Sequence, residues 1–239
     1  MIDWLREPAD PVVALAGGDL PLVIRRHPRA TRMTLRLADD GESVRVTLPR
    51  WGTTREALKF AQSRADWLEI QRAKKPARAE PVPGGSLSFR GRALAIDWCE
   101  SRPRRVLASD NAIRLGGPRE TLTPRLKRWL QGEARELFAE DLAFYAGRAG
   151  LSTPDFSLSG ARRRWGSCSS NGTVRLNWRL VMAPDHVRRS VVAHETAHRV
   201  HFDHSPAFHA LLADLFEGDL PHAEAWLKAN GPGLFASFD

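Results

Sequence analysis

The sequence predicts an α+β fold, and three features predict it. Runs of alternating polar and apolar residues crowd the first half, apolar residues at helical spacing fill the second, and an Asn171-Gly172 dipeptide between two strand-like runs sets a hairpin among the helices. A chain of 239 residues, 42% hydrophobic and 27% charged, has apolar surface enough for a real core without disulfide staples and is not of disordered composition.

Taken in order, residues 20–26, 33–37 and 44–48 read as short strands, with an Asp39-Asp40-Gly41 turn between the last two. Thr53 and Thr54 offer caps to a helix in which Leu58, Ala61, Ala65, Leu68 and Arg72 recur at helical spacing until Pro76. The stretch 74–85, rich in Lys, Pro, Ala and Gly, reads as a linker or long loop. Residues 93–98, 104–107 and 112–115 suggest further strands. Thr123 before Pro124 predicts the start of a long helix, along which Leu126, Trp129, Leu130, Leu137, Phe138 and Tyr145 form one apolar stripe toward Gly150. Residues 162–168 and 173–181 flank Asn171-Gly172, whose tolerance of positive φ suits a tight hairpin. Pro184 opens a helix to about Arg199, Ser205-Pro206 another through Phe216, and Pro221 a last one to Asn230, closed by Gly231. No internal repeat is visible. The division expected is 1–80, strands plus a helix; 81–122, β-rich; and 123–239, helices with a small hairpin.

Cys99 and Cys168 make neither a disulfide framework nor a metal-type spacing, which suits a reduced, cytoplasmic chain. No apolar run is long enough to span a membrane, and Asp3, Arg6, Glu7, Asp10 and Asp19 interrupt any secretory signal. The net charge of +8 raises nucleic acid as a partner. The excess is spread as +4, +3 and +1 over residues 1–80, 81–160 and 161–239, the pattern of a solvated surface. A local exception is Arg162, Arg163, Arg164, Arg175 and Arg179, with no acid between 161 and 182.

Seven of the eight histidines fall between 186 and 222, and among them stands His194-Glu195-Thr196-Ala197-His198 on an expected helix. Residues four apart share a helical face, so both imidazoles can reach one zinc ion, while Glu195 projects about 100° away, toward a water on the metal. His204, brought back by the loop 200–203, is the expected third ligand, with His201 as its rival. The bland alternatives are ordinary surface or core histidines, or a zinc that only holds the fold. Three histidines beside an acid leave a coordination position for water, which favours hydrolysis. The expected chemistry is a zinc-activated water attacking a peptide carbonyl, with Glu195 as general base and then as proton donor to the amine. Arg164, Asn177, His201 and His209 are candidates for stabilising the oxyanion. Trp165 and Trp178 read as core residues, and Cys168 as a small buried thiol.

The segments Arg164-Trp165-Gly166-Ser167-Cys168 and Leu176-Asn177-Trp178-Arg179-Leu180, then His194-Glu195-x-x-His198 with His204-Ser205, Phe208 and Trp226-Leu227-Lys228, resemble the YgjP-like metallopeptidases, relatives of the SprT-like zinc proteases among the zincins. The resemblance is specific over about 161–231. It implies a zincin-like metallopeptidase domain with a helical zinc site beside a small sheet, zinc on His194, His198 and His204, Glu195 as catalytic residue, and an extended protein or peptide substrate paired to the hairpin edge. Thr196 departs from the aliphatic residue usual there. Since SprT-like relatives include proteases acting on DNA-attached protein, the competing expectations are a DNA-associated protease or a non-proteolytic nucleic-acid module using the basic strip Arg162 to Arg179. A scaffold with a degenerate site is the third.

Overall fold

The computed structural model describes residues 11–38, 41–74 and 80–238. The Asp39-Asp40 half of the expected turn, residues 75–79 of the expected linker and the charges of residues 1–10 lie outside them. The fold is α+β, 42% helix and 22% strand, in two compact units, Met1–Ala77 and Arg78–Asp239.

In the first unit, β1 (Val12–Val13), β2 (Leu20–Arg26), β3 (Thr34–Leu37) and β4 (Val44–Leu48) form a sheet of order β1-β2-β4-β3. Alternation along β4 buries Val44, Val46 and Leu48, and these pack with Leu20, Leu22, Ala57, Ala61 and Leu68 in a core of the unit's own. The expected helix is broken in two, α1 (Thr54–Gln62) and α2 (Ala65–Ala73). Thr53 and Glu56 form a reciprocal capping box at the start of α1. The break falls at Ser63, whose hydroxyl donates to the Phe60 carbonyl at 2.8 Å and so competes with the helical ladder.

The second unit opens with β5 (Ser86–Phe89), β6 (Arg92–Cys99), β7 (Leu107–Ala108) and β8 (Ala112–Gly116), ordered β5-β6-β8-β7. A three-residue 3-10 turn leads into α3 (Leu122–Arg148). This helix begins before Thr123 because the turn supplies its entry, and Pro124 falls within the first turn, where a missing N–H costs nothing. Its buried stripe, Leu122, Leu126, Leu130, Ala134, Phe138, Leu142 and Tyr145, follows the helical period. Leu94, Ile96, Ile113 and Leu115 of the sheet join the same core, so the 81–122 segment and the helices share one interior.

A third sheet, β10-β11-β9, consists of β9 (Phe156–Ser159), β10 (Gly166–Cys168) and β11 (Val174–Asn177). The expected hairpin is β10–β11, antiparallel around Gly172 at φ 81°, but both strands are shorter than expected: Arg162 to Arg164 precede β10, and Trp178–Met182 turns into a 3-10 helix. The strand β9, parallel to β11, alternates Phe-Ser-Leu-Ser over only four residues, and β5 is equally short and β1 shorter still, too brief a pattern to stand out from a loop in the sequence. The helices α4 (Asp185–Ala197), α5 (Pro206–Leu215) and α6 (Leu220–Asn230) close the unit.

Among the described residues, the two four-stranded sheets have the same plan: antiparallel outer pairs β1/β2 and β3/β4 match β5/β6 and β7/β8, and the central pairs β2/β4 and β6/β8 are both parallel. No repeat was visible in the sequence because this plan depends on pairing, which different residues can satisfy.

Candidate metal centre

Helix α4 brings His194 into its last turn and ends with His198 as its C-cap. The chain then leaves the helix, and Ser205 caps α5 by accepting from the Phe208 N–H. That reversal returns His204 to the helix face. The Nε2 atom of His194 lies 3.1 Å from that of His198 and 3.4 Å from that of His204, and the three candidate ligand atoms all fall within 4.8 Å of one another. Tetrahedral ligands at about 2.0–2.1 Å from one zinc stand roughly 3.3 Å apart, so the spacing fits a single ion. Burial, with the neighbouring His198, His204 and His209, holds the His194 pKa down at about 4, keeping its ring neutral and its lone pair available near pH 7.

Two supports orient these rings. Nδ1 of His198 lies 3.0 Å from the His201 carbonyl; donating there commits its proton and turns Nε2 into the acceptor face. The buried Phe208 ring sits against all three imidazoles, with centroids 5.0, 4.5 and 4.9 Å from His194, His198 and His204. The sequence offered a signal for Phe208, an aromatic four residues after His204 just inside a Ser-Pro helix start, but not the geometry. His201 enters through its carbonyl.

Glu195 is 5% exposed, and its Oε2 has no hydrogen-bond partner among the described residues. Burial pushes its pKa up to about 7, against the pull of Arg164. The wall beside it is Gly166 at the start of β10: a Cβ there would come within 2.6 Å of Glu195 Cγ. Only glycine lets the strand pass so close to the carboxylate. Since β10 is the outer strand of its sheet, one backbone edge faces away from β11 beside Glu195. Thr196 is fully buried and spends its hydroxyl on the Val192 carbonyl at 2.9 Å, so the polar substitution is satisfied inside the helix.

Of the oxyanion candidates, Arg164 is exposed and acts on Glu195 through its charge. Asn177 is buried, with Nδ2 donating to the Ala161 carbonyl and Oδ1 accepting from the Arg179 N–H, which makes it a brace between strand and loop. His209 is exposed, its ring 6.3 Å from that of His204. Trp178 is buried against Phe238, and Trp165 packs half-buried on Phe235. Cys168 is half-buried, its thiol pushed up by burial and by the nearby Glu195 charge.

The orientation of α4 is held from behind. Arg188, 3% exposed, donates to Asp141 of α3 at 2.7 Å and to Asp185 at 2.5 Å. Arg189 pairs with Glu217 and with Asp141.

Three convergent imidazoles, beside a buried carboxylate with an unpartnered oxygen, form a donor set that could hold one metal ion. A family model for the YgjP-like metallopeptidase domain matches residues 31–230, and the chain belongs to that family. It is therefore of a peptidase class that uses a metal, typically zinc, and acts on protein or peptide. No individually curated protein and no solved structure matches it. Among the described residues, no helix is long and apolar enough to cross a membrane.

Proposed function

We propose that the protein is a zinc-dependent peptidase in which His194, His198 and His204 hold the ion and Glu195 is the general base. The observation that carries this reading is the convergence of three ring nitrogens beside the unpartnered Oε2 of Glu195. When bound, zinc would supply Lewis acidity toward water and the scissile carbonyl. Glu195 takes a proton from the attacking water at Oε2 and returns it to the departing amide nitrogen. The free edge of β10 pairs with an extended substrate backbone, and Gly166 keeps that backbone close to the carboxylate. Arg164 supplies positive charge at the mouth. The free cysteines accord with work in the reducing cytoplasm.

Zinc quantitation coupled to peptide-library digestion tests the reading. Wild type should bind one equivalent of zinc and cleave, and Glu195→Gln should retain the zinc and lose about 10²–10⁴-fold in rate. Full hydrolysis by a zinc-loaded Glu195→Gln protein would overturn it.

A further inference from the structure

A second site stands in the same unit, built by α3 and the loop before β7. Residues 102–129 carry eight arginines and lysines against only Asp110 and Glu120, three-quarters of the chain's net +8. The fold draws part of that charge around one cleft of about 690 Å³, lined by Arg104, Arg105, Arg125, Arg128, Thr121 and Trp129 among others, with no carboxylate in its lining.

Arg125 donates to the carbonyls of Gly116, Pro118 and Thr121 and so ties the loop to the helix. Gly116 and Gly117 let the arginine loop lie flat on the sheet: a Cβ on Gly116 would stand 2.7 Å from Arg102 Cα, and one on Gly117, at φ 83°, 2.9 Å from Arg104 Cγ. Arg104, Arg105 and Arg128 are exposed and pair with no carboxylate among the described residues. Elsewhere in this segment, Arg102 and Arg114 share Asp97. Trp129 is half-buried, packed on Phe89 at 4.8 Å, with its indole N–H given to Glu133 at 2.9 Å. Its ring is thus fixed where it borders the cleft.

Guanidinia from the loop and from α3, with a fixed indole in the same lining, match what a single nucleic-acid strand needs: cations for successive phosphates and an aromatic surface for a base. We propose that this cleft binds single-stranded nucleic acid through Arg104, Arg105 and Arg128, with Trp129 against a base. The site does not involve the histidine centre, and the proposal stands whether or not the peptidase reading does. An acidic protein segment could answer the charges but would leave the aromatic wall unused.

Fluorescence anisotropy of the full-length protein with a labelled 20-nucleotide oligothymidylate decides it, using a polyglutamate peptide of equal length as the second probe. Wild type should bind the oligonucleotide at 50 mM salt, with affinity falling steeply as salt rises. Arg105→Glu with Arg128→Glu should weaken binding about tenfold or more and make the salt slope shallower by about 1.4, two contacts' worth for a single strand. Its circular dichroism and zinc content should stay unchanged. Arg163→Glu with Arg175→Glu, on the hairpin side, should keep wild-type binding. No binding at 50 mM salt, equal affinity for polyglutamate, or loss of binding in the hairpin variant rather than the cleft variant would each overturn the proposal.

Discussion

Glu195 carries a cost that pH reveals. In the metal-free protein, burial lifts its carboxyl from the usual value near 4.5 to about 7. Below about pH 4.5 both folded and unfolded chains keep the proton, and no penalty arises. Between the two values the unfolded chain releases it while the folded chain holds it, so folding stability falls as pH rises. Above about pH 7 the full penalty stands, about 3 kcal/mol at roughly 1.4 kcal/mol per pKa unit. Urea melts of metal-free wild type and Glu195→Gln should diverge across that window, with the glutamine protein the more stable, and run parallel above it. A pH-independent difference would show that the carboxylate is solvated. His204 makes the complementary prediction: His204→Ala should lose stoichiometric zinc with its fold intact by circular dichroism, whereas His209→Ala should keep the metal.

Strand β10 and helix α4 meet at Gly166, and that meeting sets the position of the carboxylate. Gly166→Val would place a Cβ within 2.6 Å of Glu195 Cγ and force the carboxylate aside, so hydrolysis should fall sharply while zinc content holds. A variant that cleaves normally would detach the strand from the active site. Behind α4, Asp141→Ala would remove one of the two carboxylates on the buried Arg188 guanidinium, at a cost of about 3 kcal/mol in a urea melt. The pair is evidence for a defined helix position more than for net stability. Burial pushes the Asp141 carboxyl up even beside Arg188 and Arg189.

Two units with separate cores predict separable losses of stability. Leu48 is fully buried in the first unit, and Leu48→Ala should cost about 2–5 kcal/mol there, while zinc content, which depends on residues of the second, persists; simultaneous loss of both would show that they unfold as one. How much of this was legible in the sequence follows from the range of the interactions. The helices of the second unit, the Asn171-Gly172 hairpin and the spacing of His194, Glu195 and His198 could be read directly, because capping, helical period and turn chemistry act between residues a few positions apart. The strand β9 and the shared plan of the two sheets could not, since four alternating residues do not distinguish a strand from a loop and strand pairing joins residues far apart in the chain. The sequence by itself determined which residues share a helical face and where the chain must turn. Only the tertiary structure decided that Phe208 lies against three imidazoles, that Gly166 walls Glu195, and that Arg104 and Arg128 face one cleft, because each of these depends on packing between separate elements.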